Sequence, residues 1–181
     1  MSLVETFLDQ YLNQELKLAL LPSADDQSLF DLIYQLKIKS QDLLIVLEEL
    51  VINAKEHGDG LPQFYHGKNE PDFTFLISDR GVGIHERVPV NPRLSDTKGK
   101  SSSSIIRLAL EEGITGTGTI GRGMGLYYLS RFVRQTQATA LIASDRGCVI
   151  QQGDVFHEKD LSKDIQSTVI VLVVHAAEVG A

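Results

Sequence analysis

The clearest amphipathic segment of the chain lies between Ser40 and Gly58. Ser40 is a candidate N-cap and Gly58 a candidate C-terminal stop for a helix that ends near His57. Apolar residues recur along this segment with a helical period, which predicts one buried face about 120° wide. The predicted buried residues are Leu43, Leu44, Leu47, Leu50, Val51 and Ala54.

The rest of the chain alternates between helical and strand patterns. Helices are expected over residues 5–20, 25–36, 105–112 and 124–135, and strands over 63–66, 73–78, 138–143, 148–151 and 168–174. Helices come first, and strands interrupted by helices follow. This order predicts an α+β fold, in which a mixed sheet carries helices on one face as a two-layer sandwich.

Composition and charge narrow the classes of function. The chain has 181 residues, which favours a single domain, and a formal net charge of -7, which disfavours DNA or RNA as a partner. No apolar run is long enough to cross a membrane. The N-terminus lacks a signal-peptide pattern, and Cys148 is the single cysteine, so we expect a cytoplasmic protein.

A stripe of polar residues borders the apolar face of the first amphipathic helix. Glu49, Asn53 and His57 follow one another at intervals of four residues, which places them one above another on a helix. Because the stripe lies beside the buried face, we expect it to look into a cleft. The alternative is a solvated flank, and the helix alone leaves both interpretations open.

An acidic residue and two glycines follow the predicted strand that ends at Ser78. In the sequence Asp79-Arg80-Gly81-Val82-Gly83, the carboxylate can accept a hydrogen bond from an exocyclic amine such as that of adenine. The glycines let the backbone approach a planar ligand closely. A plain turn after a strand is the alternative.

A second glycine-rich segment, Gly121-Arg122-Gly123-Met124-Gly125, opens the predicted helix over 124–135. Glycines at a helix N-terminus present free N–H groups and the positive end of the helix dipole to phosphate oxygens. Arg122 would add positive charge there or lie in solvent. A flexible hinge is the alternative interpretation of the glycines.

Taken in order, these three segments resemble the ATP-binding domain shared by gyrase, Hsp90, histidine kinases and the MutL proteins, the GHKL superfamily. Its N-box, G1 box and G2 box correspond to Glu49–His57, Asp79–Gly83 and Gly121–Gly125. The resemblance implies the Bergerat fold for an ATP-binding domain over residues 40–181. Residues 1–39 would then be a helical N-terminal extension.

The resemblance also implies a role for each matching residue. Asn53 would coordinate Mg²⁺, and Asp79 would accept a hydrogen bond from the adenine amino group of ATP. Glu49 would act as general base, or would only position Asn53 and the waters of the metal ion. The remaining nucleotide contacts are expected from His57, Gly81, Gly83, Gly121, Arg122, Gly123, Gly125 and Thr168.

Two further features bear on that assignment. The segment from about His85 to Gly121 would form the ATP lid, which in this family orders over bound nucleotide. Thr168 opens the last predicted strand, where the family carries a threonine that assists adenine binding, but Ser167 stands where a glycine is expected before it.

The sequence from Asn53 to Gly58 is most similar to the stand-alone anti-sigma-factor serine kinases. This resemblance implies a serine/threonine protein kinase that regulates a protein partner, either an antagonist or a transcription factor. A homodimer is common among such relatives. The alternative is a nucleotide-gated interaction module with little or no turnover.

Overall fold

The computed structural model describes residues 19–21, 31, 33–60, 62–69, 71–88, 97, 99–114, 124–165 and 167–179. These residues form an α+β fold, which confirms the predicted class. The elements are β1 (Ala19–Leu21), α1 (Gln41–His57), β2 (Gln63–Asn69), β3 (Asp72–Asp79), α2 (Gly83–Arg87), α3 (Ser102–Ala109), α4 (Gly125–Gln135), β4 (Thr139–Ser144), β5 (Gly147–Gln152), β6 (Val155–Asp160), β7 (Thr168–His175) and α5 (Ala176–Val179).

The strands form one sheet in the order β1-β2-β3-β7-β4-β5-β6. Every neighbouring pair in this order is antiparallel, so the predicted mixed sheet was wrong. The physical reason is that short turns join β2 to β3 and β4 to β5 to β6, and such turns reverse the chain direction. β7 then enters between β3 and β4 and runs opposite to both.

The first amphipathic helix has the ends that its sequence predicts. The hydroxyl of Ser40 accepts a hydrogen bond from the backbone N–H of Leu43 at 3.3 Å, and the helix ends at His57 before Gly58. Its buried residues are Leu43, Val46, Leu47, Leu50, Val51 and Ala54. The predicted apolar face is therefore confirmed except that Val46 is buried and Leu44 is only half-buried.

The main core lies where α1, α3 and α4 meet one face of the sheet. Phe64, Phe75, Ile142 and Leu172 come from the strands and are buried there with the apolar faces of the helices. The opposite face of the sheet is also buried at its centre, where Leu141, Cys148, Ile150 and Val171 form a second cluster. Burial raises the pKa of the Cys148 thiol to about 11, so this side chain behaves as a small apolar group at neutral pH.

Two short strands differ from the sequence-based expectation. Residues 19 and 20 were predicted to end a helix, but Ala19–Leu21 pair with Phe64–His66 as the edge strand β1. Val155–Asp160 form β6, which was not predicted because its pattern is mostly polar. Within the predicted N-terminal extension, Ile33 and Ile38 are buried in the main core, so these described residues pack with the rest of the fold.

None of the helices in the described ranges is long and apolar enough to cross a membrane.

Candidate functional site

A pocket opens between α1 and the helix-covered face of the sheet. The space free of protein atoms there, which includes open solvent, is about 740 Å³. β3 and β7 form its floor, and α1, α2 and α3 contribute to its walls. The lining residues are Leu50, Asn53, Ala54, His57, Ile77, Asp79, Gly83, Ile84, Arg87, Val88, Ala109, Ile114, Leu126, Thr168 and Ile170.

The acidic group of the pocket is Asp79, the last residue of β3. It is paired across the sheet with Thr168, the first residue of β7. Burial raises the pKa of Asp79 to about 6, and three interactions oppose this rise: hydrogen bonds from the backbone N–H groups of Gly81 and Thr168, and the nearby charge of Arg87. At neutral pH the group is therefore an ionised, half-buried acceptor that faces the pocket.

The amide of Asn53 meets the start of α4. A Cβ added at Gly125 would overlap the Nδ2 atom of Asn53, and it would also lie 3.2 Å from the backbone oxygen of Glu49. Glycine at position 125 is therefore what lets the N-terminus of α4 approach α1 at Asn53. The same approach brings the predicted magnesium ligand next to the predicted phosphate-binding helix.

The other glycines of the site act through backbone contacts. Gly81 forms an isolated β-bridge with Gly58, and a Cβ on Gly81 would overlap the backbone oxygen of His57. This contact joins the end of α1 to the segment that follows β3. Gly83 has a φ of 80° and packs so closely against the carboxylate of Asp145 that no larger residue fits there without strain.

Two basic side chains of the pocket carry buried nitrogen atoms without a partner. Nδ1 of His57 and Nε of Arg87 make no hydrogen bond to any residue in the described part of the chain. The pKa of His57 is lowered first by burial and then by the charge of Arg87, so the imidazole is neutral at pH 7. Buried polar atoms in proteins are nearly always bonded, so these two point to a ligand that would satisfy them.

Glu49 lies one helical turn before Asn53 and is half-buried, but it does not line the pocket. Burial is the main cause that raises the pKa of this carboxyl, followed by the nearby charges of Glu56 and Glu48. A raised pKa is compatible with a group that takes up a proton at neutral pH.

A hydrogen-bonded cluster that the sequence did not reveal lies behind Thr168. The hydroxyls of Ser144 and Thr168 are 3.2 Å apart, and Oδ2 of Asp145 accepts from the Ser144 hydroxyl at 3.1 Å. The backbone N–H groups of Ile84 and His85 donate to Ser144 at 2.9 Å and to Asp145 at 3.0 Å. The turn between β4 and β5 thus caps the N-terminus of α2, which has no capping side chain of its own.

The predicted site residues fall into three groups. Asn53, His57, Asp79, Gly83 and Thr168 line one pocket. Gly81 and Gly125 pack against α1 beside it, and Glu49 lies one turn along α1. Gly121, Arg122 and Gly123 lie outside the described residues. Arg87, Ser144 and Asp145 belong to the site or its support and were missed.

The predicted lid from His85 to Gly121 was too long. His85 to Arg87 belong to α2, and α3 packs into the core through Ser103, Ile105, Ile106 and Ala109. Asp160 fixes the start of α3 by accepting a hydrogen bond from the backbone N–H of Ser103 at 3.1 Å. The described parts of the predicted lid therefore belong to the packed fold, because the Ser-rich run caps a helix of the core.

No group of three or more His, Cys, Asp or Glu side chains that could hold a metal ion occurs among the residues that the structure describes. A magnesium ion bound with a nucleotide needs few protein ligands, because phosphate oxygens and waters complete its octahedral shell. The side chain of Asn53, at the pocket and beside the start of α4, fits that requirement with one amide oxygen.

Comparison of the chain with models of known protein families gave no match, and comparison with curated proteins gave none either.

Proposed function

We propose that this domain binds ATP together with Mg²⁺ in the pocket between α1 and the sheet, in the manner of the GHKL superfamily. One observation carries the proposal. Asn53, Asp79 and Thr168 are far apart in sequence, each matches a nucleotide-binding position of that family, and all three line the same pocket.

The chemistry of the pocket suits a purine nucleotide. Asp79 offers a carboxylate to the exocyclic amine of adenine, and Ile77, Ile84 and Ile170 offer apolar walls to the faces of the base. The N-terminus of α4 lies against Asn53, so phosphate groups bound there would meet free N–H groups and a magnesium ligand together. Nε of Arg87 supplies a buried donor for the sugar or the phosphates, and Nδ1 of His57 donates or accepts there according to its tautomer.

Calorimetric titration of the whole chain with ATP, ADP and GTP, each with and without Mg²⁺, tests this proposal. We expect ATP to bind in the micromolar range, which is roughly 8 kcal/mol, and more tightly with the metal ion than without it. GTP should bind at least about tenfold more weakly, because its 6-oxo group cannot donate to Asp79. No heat of binding with any adenine nucleotide would contradict the proposal.

We further propose that the domain is a serine/threonine protein kinase that regulates a protein partner, as the anti-sigma-factor kinases do. Glu49 would accept the proton of the attacking hydroxyl of that partner. Its raised pKa and its place one turn from Asn53 support this role.

The Glu49→Gln variant separates this role from the alternative. If Glu49 is the base, the variant should lose phosphoryl transfer from labelled ATP to antagonist domains by about 100-fold or more while its ATP affinity stays within about twofold of wild type. Equal transfer by both proteins would contradict the assignment. The neighbouring Glu48→Gln variant, on the side of α1 that bonds Tyr34, is the matched control.

The alternative function is a nucleotide-gated interaction module with little turnover. The observation that favours it is the absence of Glu49 from the lining of the pocket. In that case Glu49→Gln would leave all biological output unchanged, whereas pocket variants would abolish it.

A further inference from the structure

We propose that Ser144 fixes the direction of the Thr168 hydroxyl, so that Thr168 can only accept a hydrogen bond from the bound base. Ser144 would thereby be a positioning residue that helps the pocket select a 6-amino purine over a 6-oxo purine. This inference rests on the proposed function, because it concerns the same pocket.

Ser144 is the last residue of β4 and is fully buried, with its side chain on the helix-covered face of the sheet. Its oxygen has three neighbours at hydrogen-bonding distance. The backbone N–H of Ile84 donates to it at 2.9 Å, Oδ2 of Asp145 lies 3.1 Å away, and Oγ1 of Thr168 lies 3.2 Å away.

The direction of each bond follows from the number of hydrogens. A serine hydroxyl has one hydrogen to donate and two lone pairs that accept. The carboxylate of Asp145 can only accept, so it takes the hydrogen of Ser144. The N–H of Ile84 can only donate, so it takes one lone pair. The second lone pair remains for Thr168, which must therefore donate its own hydrogen to Ser144.

Asp145 is held in place, which prevents the direction of these hydrogen bonds from reversing. Its Oδ2 also accepts a hydrogen bond from the backbone N–H of His85 at 3.0 Å, and its backbone oxygen accepts one from Ile165 at 2.9 Å. Asp145 has a φ of 54°, a left-handed conformation that Asp tolerates better than most residues. The acceptor that orients Ser144 is thus held from both its side chain and its backbone.

The consequence lies in the pocket. With its hydrogen directed to Ser144, Thr168 has only lone pairs left for a ligand. The carboxylate of Asp79, which accepts from the backbone N–H of Thr168, is an acceptor too. A 6-amino group can donate to such a pair, whereas a 6-oxo group would bring its own lone pairs against both.

The first test changes Thr168 and leaves Ser144 intact. Calorimetry with ATP and with inosine triphosphate, its 6-oxo analogue, gives the ratio of the two dissociation constants. Thr168→Val removes an acceptor, so the preference for ATP should fall by about fivefold. Thr168→Ser keeps a hydroxyl bonded to Ser144 and should retain the wild-type preference. A preference that rises in Thr168→Val would mean that Thr168 donates to the base, and would overturn the inference.

The second test is a double-mutant cycle between Ser144 and Thr168. Ser144→Ala frees the hydrogen of Thr168, which can then turn towards a 6-oxo group, so the preference for ATP should fall by about fivefold. In the Thr168→Val background the same change should alter the preference by less than about twofold. An equal fall in both backgrounds would show that Ser144 acts on the fold and not through Thr168, which would overturn the inference.

The two proposals fail in different ways. If wild-type protein binds neither triphosphate, the proposed function fails and this inference with it. If wild type binds ATP but the changes in preference have the opposite sign or are absent, only the inference fails. Ser144→Ala leaves the N–H of Ile84 without its acceptor, which lowers the stability of the fold. The melting temperature of each variant is therefore measured beside its affinities.

Discussion

Replacing Asp79 by Asn should weaken ATP binding by about 10- to 100-fold, and yet make the ligand-free protein more stable at neutral pH. A residue that stabilises a fold does not behave in this way. The combination is expected only where a carboxylate is held in a costly environment because a ligand needs it.

The loss of binding follows from the hydrogen bonds around the carboxylate. Asp79 already accepts from the N–H groups of Gly81 and Thr168, and it would accept from the adenine amine as well. An amide has only one oxygen. If the amide oxygen faces the backbone donors, the NH₂ group faces the donating amine of the base, and if the oxygen faces the base, the NH₂ group faces the backbone donors. In either orientation hydrogen bonding is lost and donor groups face each other.

The gain in stability follows from the raised pKa. The folded-state pKa of Asp79 is about 6, above the usual value of 3.8, so the folded protein holds this proton more tightly than the unfolded chain does. Asp79 therefore destabilises the fold above about pH 6, and this penalty diminishes as the pH falls through that value. The neutral side chain of Asn has no such penalty at any pH.

Thermal denaturation of the ligand-free proteins as a function of pH measures this effect. We expect the melting temperature of Asp79→Asn to exceed that of wild type at about pH 7.5, and the difference to decline towards zero near pH 4. Asp72→Asn, at the other end of β3, is the matched control and should leave ATP affinity unchanged. If Asp79→Asn binds ATP as tightly as wild type does, the assignment of Asp79 as the adenine acceptor is wrong.

Local patterns were sufficient for much of the fold. α1 could be predicted because its cap, its apolar period and its terminal glycine lie within about one helix length of one another. β3 and β7 were predicted to within one residue at each end from their apolar runs and the turn residues beside them, and Asp79 and Thr168 lie at those ends. The resemblance to the GHKL superfamily then implied that Asn53, Asp79 and Thr168 contact one ligand, and these three residues line one pocket.

What could not be predicted depends on contacts between distant residues. β6 has a polar pattern because α3 covers its inward residues with polar contacts. The guanidinium of Arg107 lies 3.7 Å from the centre of the Phe156 ring, and the carboxylate of Glu158 accepts a hydrogen bond from the hydroxyl of Ser104. The alternation of apolar and polar residues along a strand does not specify such contacts with a distant helix. The direction of β7 depended on which neighbours it joined, which element order does not specify.

The support of the site was hidden for the same reason. Ser144 and Asp145 read as an ordinary strand end and turn, but their partners in α2 are 60 residues away in sequence. Arg87 lies in the segment that the family resemblance assigned to the lid, so its place in the pocket had no local signal. Side chains that act through tertiary contacts become visible only in the folded chain.

Replacing Asn53 by Ala should abolish the effect of Mg²⁺ on ATP binding. In wild type we expect the metal ion to increase ATP affinity by about tenfold or more, which is at least roughly 1.4 kcal/mol. Asn53 would supply the protein's oxygen ligand to that ion, so without it ATP should bind equally well with Mg²⁺ and with a chelator. Titration calorimetry under both conditions measures the difference directly.

Two further variants show whether an oxygen at this position matters more than packing. Asn53→Asp has nearly the same shape and keeps a hard oxygen ligand, so it should retain a dependence on Mg²⁺. Gly125→Ala leaves Asn53 in the sequence but adds a Cβ that overlaps its Nδ2 atom, so the side chain must turn aside. We expect this variant to lose the magnesium effect as Asn53→Ala does.

Gly153→Ala provides the reference for adding a methyl group elsewhere, since nothing lies within 4 Å of a Cβ at that position. Its only penalty is a φ of 57°, which lowers stability without touching the pocket. ATP binding that is identical with and without Mg²⁺ in wild type would contradict the role of Asn53. Retention of the effect in Gly125→Ala would instead contradict the idea that contact between α1 and α4 sets the position of that ligand.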